Sequence, residues 1–367
     1  MADLNVNSIG DASGGNTTTI NGYTPTVSNM AGRNRIQNGD MRIDQRNAGA
    51  SVTPNNSFTL DRWLFTNTQT SKVNIQQSSV APSGFSNSLL VTSTSAYSVS
   101  AGDTFLITQA IEGFNIADLA WGSADAKPIT ISFWVRSSIT GTTGGALMNS
   151  ADNRNYVFSY TINLADTWEY KTVTIAGDTS GTWLTGNNRG ISVRFGLGSG
   201  STYSGAVGTW SSSNYVQPTG SVSVVGTSGA TFYITGVQLE VGSVATPFEH
   251  RQYGQELALC QRYFQTWGGV TANDFMPYFG IGYNSSTLEG TLTFIQQMRS
   301  PPSLSVVGSF IFLDVAAVYN TGTLILDVVG LQTARIRTTT SSGLVLYRPY
   351  LLLANGATSR LQLSAEL

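Results

Sequence analysis

Two tryptophans stand in stretches that otherwise consist largely of glycine, serine, threonine and asparagine. Trp183 lies in SGTWLTGNN and Trp210 in GAVGTWSSSNY, with Tyr203, Asn214 and Tyr215 close to them in sequence. A flat ring can stack on the apolar C–H face of a sugar while neighbouring amides and hydroxyls bind the sugar's hydroxyl groups. These five residues therefore form a candidate glycan-binding site, with simple packing inside loops as the alternative.

A second group of rings lies nearer the end of the sequence. Trp267, Tyr278 and Tyr283, together with Tyr319, are candidates for a second site of the same kind. The remaining tryptophans lie in or near strongly periodic segments, where core packing is the favoured interpretation: Trp63, Trp121, Trp134 and Trp168.

The sequence contains few residues that could support enzyme catalysis. A nucleophilic triad needs a histidine base, and the only histidine, His250, lies between Glu249 and Arg251, as a surface or interface residue would. The only cysteine, Cys260, excludes an internal disulfide and is expected to be a buried apolar residue. One His and one Cys cannot supply a zinc site, and no acidic cluster has EF-hand spacing. We predict no catalytic residues, no metal ligands and no cofactor.

Carboxylates leave two alternatives open. Calcium held by loop oxygens is possible near Asp103, Asp152 or Asp178 but is not predicted. A polysaccharide depolymerase would use a pair of carboxylates, and the acidic residues in or beside expected loops are Asp103, Glu112, Asp166, Glu169 and Asp178. Their spacing singles out no pair, and the stacked repeats of a β-helix are absent. The GLGSG run at 196–200 lacks a following helix and the lysine of a P-loop, so we interpret it as a loop.

Composition bounds the class of protein. The chain has 367 residues, 41% hydrophobic, which is enough for two domains with cores of their own. Only 11% of residues are charged, against a usual share of about 25%, and 39 glycines with many Ser, Thr and Asn residues take their place. The net charge of −2 offers no basic field for nucleic acid or anionic membranes.

No apolar run is long enough to span a bilayer, so no membrane insertion is predicted. The first residues, MADLNVNSIGD, lack the basic start and apolar core of a signal peptide, which predicts synthesis in the cytoplasm.

The elements that position these residues are predominantly strands. About ten short segments of alternating polarity lie between residues 57 and 241, separated by Pro, Gly and Ser clusters. ITISFWVRSSI, residues 129–139, is the clearest of them, with Ile129, Ile131, Phe133 and Val135 on one side. Such spacing favours an antiparallel sandwich of jelly-roll type over residues 41–250.

The chain changes character between residues 232 and 264. FYITGVQLEV alternates with a register shift at Gly236, as a strand with a bulge would, and Pro247 then ends the ladder. From residue 252 the period changes, because Tyr253, Leu257, Cys260 and Phe264 recur at intervals of three and four. We predict a helical connector over 251–268, followed by a second, smaller β-sandwich over 269–367.

Residues 1–40 are polar, glycine-rich and almost without periodicity, so they cannot fold alone. They are predicted to form an extended arm that attaches to other subunits or another protein. Its possible anchors are Leu4, Val6, Ile9, Ile20 and Tyr23.

Several stretches resemble a module of bacteriophage tail fibres and related virion appendages. They are NRIQNGDMRIDQRNAG (34–49), LDRW (60–63), ITISFWVRSSITG (129–141) and GVQLEVGSVATPFEHRQYGQELALCQRYF (236–264), and the likeness covers about residues 30–265. It implies a structural protein of a phage particle, a homotrimer with a jelly-roll domain similar to carbohydrate-binding modules and a role in attachment to the bacterial surface. The part after about residue 270 looks like the variable tip that follows such modules, and no catalytic residues carry over.

The resemblance and the residues together predict non-catalytic binding of a bacterial surface polysaccharide by a homotrimer in the virion. The arm would contact other virion proteins, while the location on tail, baseplate or head stays open. A different function class is pure assembly, since aromatic residues with few charges are also typical of subunit interfaces. In that case the chain is a connector or decoration protein without a ligand.

Overall fold

The computed structural model describes residues 32–315, 317–340 and 342–367. The predicted arm anchors, from Leu4 to Tyr23, lie outside the described residues. The described chain divides into two compact units, the first of which contains residues 32–42 together with 49–59 and 63–251. The second contains 43–48, 60–62 and 252–367, so two short early segments belong to the later unit, which the sequence did not indicate.

The first unit contains two large antiparallel sheets. The larger runs in the order β1 (Ser57–Leu60), β2 (Trp63–Asn67), β5 (Thr104–Glu112), β10 (Arg189–Ser199), β7 (Gly141–Asn149), β8 (Asn155–Ile162) and β12 (Trp210–Ser211). The smaller runs in the order β3 (Val73–Ser78), β4 (Ser88–Ser93), β14 (Thr231–Val241), β6 (Ile129–Ser137) and β9 (Glu169–Ile175). A short parallel pair is formed by β11 (Ser204–Gly205) and β13 (Gln217–Pro218), and 3-10 turns occur at Gly113–Asn115, Ala117–Leu119 and Ser201–Tyr203.

The two sheets pack face to face around an apolar core. On β6 the alternate residues Ile129, Ile131, Phe133 and Val135 are fully buried, as their spacing predicted. Phe133 meets Phe195 of the other sheet at 5.1 Å between ring centroids, in an edge-on arrangement. The sandwich and the all-β fold class are thereby confirmed.

Core packing is correct for Trp63 and Trp121, which are 0% and 8% exposed, but wrong for two other tryptophans. Trp134 and Trp168 are half-buried. The reason for Trp134 is the strand period itself, because a residue between the core residues Phe133 and Val135 must point to the opposite face.

Strand β14 changes its neighbour at Gly236. Before this residue β14 pairs with β4, and its register with β6 shifts between Thr235 and Gln238, so the predicted bulge is present. After it, Val237 N–H donates to Gly39 and Arg35 N–H donates to Leu239. Residues 34–39, which lie inside the range predicted as an arm, are therefore hydrogen-bonded to β14 within the first unit.

Residues 200–221, which we term the crossing segment, include the edge strand β12, and their Tyr203, Asn214 and Val216 side chains lie on the outer face of the larger sheet. Val216 packs against Leu106 of β5 and Met148 of β7, and Gln217 donates to Thr143 at 2.9 Å. A side chain at Gly196 would lie 2.5 Å from Gln217. The GLGSG run is therefore mostly the end of β10 rather than a loop, and its first glycine lets the crossing segment pack closely.

The second unit contains two further sheets and one helix. The smaller sheet has the order β15 (Phe264–Gly268), β24 (Arg360–Ser364) and β18 (Ser303–Val307). The larger has the order β20 (Val318–Asn320), β19 (Phe310–Leu313), β23 (Pro349–Ala354), β16 (Tyr278–Gly282), β17 (Thr287–Thr293), β22 (Thr333–Thr339) and β21 (Ile325–Val329). Leu361 and Leu363 of the smaller sheet share one core with Phe310, Phe312 and Leu352 of the larger.

The helix α1 spans Tyr253–Gln261, shorter than predicted. Its predicted apolar face is only partly correct, since Tyr253 is exposed and Glu256 is buried beside the buried Cys260. Phe264 belongs to β15, because the chain returns to an extended conformation directly after the helix.

The early segments of the second unit contribute charged groups to its interior. Asp61 is fully buried and accepts hydrogen bonds from the backbone and side-chain amides of Gln45, both at 2.7 Å. Arg62 pairs with Glu366, and its guanidinium lies 3.5 Å from the Tyr263 ring centroid. Buried charges require such partners, which explains why these short segments belong to this unit.

Candidate functional site

A cavity of about 330 Å³ opens on the face of the larger sheet of the first unit that points away from the core. Its strand residues follow the sheet register: Leu64 of β2 lies opposite Thr108 of β5, which lies opposite Arg194 of β10. The adjacent residues on two of these strands, Ile107 and Val193, are fully buried in the core. Strand alternation therefore places the cavity-lining side chains on the outer face. We term this cavity the groove.

The crossing segment supplies one wall of the groove. Leu106 and Val216, 4% and 2% exposed, form an apolar cluster against which Tyr203 packs. The backbone of Val216 donates to the carbonyl of Tyr203 at 2.8 Å, which fixes the two residues relative to each other. The groove thus has an apolar floor and an aromatic side chain at its edge.

Charged and amide groups form the opposite part of the lining. Asp152 accepts from Arg194 at 2.7 Å and from Arg189 at 2.9 Å, and Arg194 also donates to Asn214 at 3.4 Å. Burial lowers the pKa of Arg194 and the charge of Asp152 opposes that shift. Arginine remains cationic in proteins, so the groove presents a fork of fixed donors beside one carboxylate.

One buried hydroxyl in the groove lining has no partner. Thr108 is 6% exposed, and its hydroxyl forms no hydrogen bond within the part of the chain that the structure describes. An unpaired buried hydroxyl is costly unless water or a ligand satisfies it. Thr108 lies beside Leu64 and Arg194 in the groove lining. Its hydroxyl oxygen is shielded from solvent, so a polar molecule in the groove reaches it only after the side chain rotates.

Of the candidate site residues, Tyr203 and Asn214 both line the groove. Tyr215 does not, because its half-buried ring lies against Gly205, where an added Cβ would be 2.2 Å away.

Trp183 and Trp210 belong to a different part of the first unit. With Trp121 they form a mutually edge-on cluster, at centroid distances of 4.8 Å (121 to 183), 5.2 Å (121 to 210) and 5.4 Å (183 to 210). Trp210 is paired with Tyr156, which is paired with the core residue Leu147, and paired residues share a face. The cluster therefore lies on the core side of the sheet. The exposure expected of a stacking platform is not found for Trp183, which is 7% exposed.

In the second unit the four candidate rings do not share one exposed surface. Tyr319 is partly buried against the core of this unit. Tyr278 is 6% exposed and lies in the core, and Trp267 packs against the same core. Tyr283 is 54% exposed, with the guanidinium of Arg337 at 5.8 Å from its ring centroid.

The acidic residues considered for calcium or catalysis are bound by protein groups. Asp103 accepts from Tyr97 and Thr68, Asp178 from Arg154 and Trp183, and Asp152 from two arginines. Asp166 pairs with Arg136 and Glu169 with Lys171, while Glu112 is buried. Asp152 is the one carboxylate among the groove residues. No three His, Cys, Asp or Glu side chains converge as metal ligands would in residues 32–315, 317–340 and 342–367.

Sequence reasoning missed most of the groove. Leu64, Thr108, Arg189 and Arg194 were not singled out, and Asp152 was considered only for calcium. A usable signal was present in GISVRFG, where Arg194 interrupts a strand whose alternate residues Val193 and Phe195 are apolar. A lone arginine at such a position indicates a polar outer face.

No family model matches the chain, and no curated protein sequence matches it. Among solved structures, the chain is similar to the enzymatically active domain of tailspike protein 4 of bacteriophage CBA120, with 13% identity, 57% of this chain and 21% of that chain covered, and a TM-score of 0.32. The chain thus spans about a fifth of that protein's length.

Two carbohydrate-binding modules are also similar. TmCBM61, in complex with β-1,4-galactotriose, is 10% identical over 57% of this chain and 99% of that one, with a TM-score of 0.30. The family 11 module from Clostridium thermocellum, in complex with a mixed-linked tetrasaccharide, is 14% identical over 55% and 98%, with a TM-score of 0.26. At these scores the similarities establish neither a family nor a function. No helix in the described part of the chain has the length and apolarity that a membrane span requires.

Proposed function

We propose that the first unit binds glycans without chemical turnover and that the groove is its binding site. The observation that carries the proposal is the row Leu64, Thr108 and Arg194, in which an apolar side chain, an unpaired hydroxyl and a guanidinium fork lie side by side on one sheet face. A sugar presents the complementary pattern, with C–H patches and hydroxyl groups on the same ring.

Each part of the lining has a role in this proposal. Leu64 and Tyr203, which are half-buried, accept the apolar face of a sugar, while Thr108 and Asn214 bind hydroxyl groups. The pair of Asp152 and Arg194 offers an acceptor and donors in fixed positions, so little side-chain entropy is lost on binding.

Hydrolysis is not part of the proposal. Glycosidases use two carboxyl groups about 5 to 10 Å apart, whereas Asp152 is the one acid among the groove residues and is bonded to two arginines. A depolymerase would need a second acid that reaches the groove.

At the level of the particle, we propose a phage fibre or other virion appendage that attaches to the bacterial surface as a homotrimer. Millimolar sites, worth about 4 kcal/mol each, become effective when several bind together. The support within this chain is an exposed apolar row in the second unit, where Val318 and Leu351 each lie opposite Leu313. Phe279 lies beside Leu351 on the next strand and is 71% exposed.

The same row serves the alternative of pure assembly, in which the chain is a connector without a ligand. Native mass spectrometry tests the homotrimer, which both hypotheses share. We expect the unchanged chain to form trimers and the Phe279→Arg substitution to dissociate them. Phe114→Arg is the control, because Phe114 is 61% exposed but lies in the first unit. Monomers of the unchanged chain would refute the trimer.

A glycan array with bacterial surface polysaccharides tests the binding. We expect Thr108→Val and Asn214→Ala each to weaken binding about tenfold, as removal of a hydrogen bond in a desolvated site does. Thr202→Val, at an exposed position outside the groove lining, should bind normally. Absence of glycan binding favours assembly, and release of reducing ends favours the depolymerase.

A further inference from the structure

A second concavity, of about 390 Å³, lies on the smaller sheet of the first unit. Trp134 of β6 and Tyr170 of β9 are register partners on this sheet, with ring centroids 5.3 Å apart. The loop before β4 contributes Phe85, and the segment after β14 contributes Phe248 and His250. Five rings from four separate stretches of the sequence therefore line one cavity, which we term the aromatic pocket.

The two walls of the aromatic pocket are each held in place by ring contacts. Phe85, Phe248 and His250 contact one another, at centroid distances of 5.2 Å (85 to 248), 5.3 Å (85 to 250) and 4.9 Å (248 to 250). Trp134 and Tyr170 form the other group, inclined at 47°. Tyr170 is 44% exposed, so its ring surface is accessible.

The backbone around the aromatic pocket is fixed as well. Gly236 has φ +61, and a Cβ there would lie 2.7 Å from Phe85 and 3.2 Å from Trp134. The segment that carries Phe248 is tied down at Thr246, whose N–H and hydroxyl donate to the buried Glu240 at 2.8 and 2.6 Å. A pocket held in this way loses little entropy when it binds a ligand.

Polar groups at the aromatic pocket remain available. The indole N–H of Trp134, the hydroxyl of Tyr170 and the ring nitrogens of His250 form no hydrogen bond to any other residue of the described ranges. Among the residues that line the pocket none is acidic, and Glu249 is turned to the backbone N–H groups of Gly32 and Asn34. The aromatic pocket thus offers ring faces and hydrogen-bonding groups but no negative charge.

We propose that the aromatic pocket is a second binding site, for a single neutral pyranose ring, on the other sheet from the groove. The C–H face of the sugar stacks on the Trp134 and Tyr170 rings, and its hydroxyls bind the free donors of Trp134, Tyr170 and His250. The inference extends the proposed function, since it supposes that sugars are the ligands of this unit.

A quaternary ammonium ion is the other ligand that several rings can hold. Such cages gain from a nearby carboxylate, which this lining lacks. The lining therefore favours a neutral ligand.

Fluorine NMR of the full chain labelled with 5-fluorotryptophan tests the proposal. Trp134→Phe and Trp168→Phe assign the two resonances, and methyl glycosides of glucose, galactose, mannose and N-acetylglucosamine are added at millimolar concentrations. We expect at least one glycoside to shift the Trp134 resonance saturably and to leave Trp168, whose ring packs on Tyr233, unchanged.

Variants separate this site from the groove. Tyr170→Ala should weaken the Trp134 titration about tenfold, the equivalent of one stacking contact. Trp168→Ala should change it less than about twofold. Thr108→Val and Asn214→Ala, which weaken binding in the groove, should leave it unaltered. The proposal that the aromatic pocket binds a sugar is overturned if no glycoside shifts the Trp134 resonance, or if tetramethylammonium alone shifts it. This outcome does not depend on what the groove binds.

Discussion

Trp183 donates its indole N–H to Asp178 at 3.0 Å, and Arg154 binds both oxygens of the same carboxylate. This relationship explains why a tryptophan in a glycine-rich stretch is not a platform on the surface. The carboxylate and the arginine satisfy its polar edge, so the ring can pack against Trp121 and Trp210 instead.

Removal of Asp178 is expected to destabilise the first unit. Asp178 is 1% exposed, and Asp178→Ala leaves the Arg154 guanidinium and the Trp183 N–H without their acceptor. Loss of one partner of a buried pair costs about 3 kcal/mol or more. Urea unfolding followed by tryptophan fluorescence measures this, because Trp267 alone of the 7 tryptophans lies in the second unit.

Asp166→Ala is the matched control. Asp166 pairs with Arg136 at 3.4 Å, and its side chain is 56% exposed. An exposed ion pair contributes at most about 1 kcal/mol, so this variant should unfold close to the unchanged chain. Equal effects of the two substitutions would contradict the structural role assigned to Asp178.

Strand β7 is expected not to tolerate a side chain at Gly144. A Cβ at Gly144 would lie 1.9 Å from the carbonyl oxygen of Phe158 on the paired strand. Because backbone must move, we expect Gly144→Ala to lower the free energy of unfolding by about 1 to 3 kcal/mol. Gly102→Ala, where nothing lies within 4 Å, is the control for the substitution itself. Thermal unfolding of both variants decides the matter.

Asp103 is expected to make the first unit sensitive to acid. Burial opposes its ionisation, but hydrogen bonds from Tyr97, Ser100 and Thr68 hold its pKa at about 2 against an ordinary 3.8. Its contribution is present above pH 3.8 and is lost as the pH falls through about 2. Stability measured over this range should fall less steeply for Asp103→Asn than for the unchanged chain. Parallel curves would show that Asp103 contributes nothing.

Asp61 is expected to act in the opposite direction in the second unit. Burial raises its pKa from 3.8 to about 6, although Arg46 and the hydrogen bonds from Gln45 lower it. The folded state then binds the proton more tightly, so stability is present below pH 3.8 and is lost as the pH rises through about 6. The loss corresponds to about 3 kcal/mol.

Urea unfolding of the second unit, followed through the ¹⁹F resonance of Trp267 in the full chain labelled with 5-fluorotryptophan, measures this dependence. The unchanged chain should be less stable at pH 6.5 than at pH 4.5. Most of the stability that the protonated Asp61 contributes is lost between these two pH values. Asp61→Asn should reduce this difference. A stability that rises over the same interval in both chains would contradict the raised pKa.

Part of this architecture follows from the sequence by itself. Ile129, Ile131, Phe133 and Val135 are spaced two residues apart, which is the period of a strand. Residues with this spacing all lie on the same face of the sheet. The bulge at Gly236 follows from local chemistry too, since a positive φ is accessible to glycine at low cost. The all-β class and the division after the first sandwich depend on such local patterns.

The two proposed binding surfaces depend on the tertiary structure alone. The groove combines Leu64, Thr108, Arg194 and Asn214 from four separate stretches, and the aromatic pocket combines Trp134 with Phe248. Strand period places a side chain on one of two faces but does not say which loop covers that face. Nor does it say that Asp178 and Arg154 will bury Trp183. Those outcomes depend on contacts between residues far apart in the sequence, which no local pattern contains.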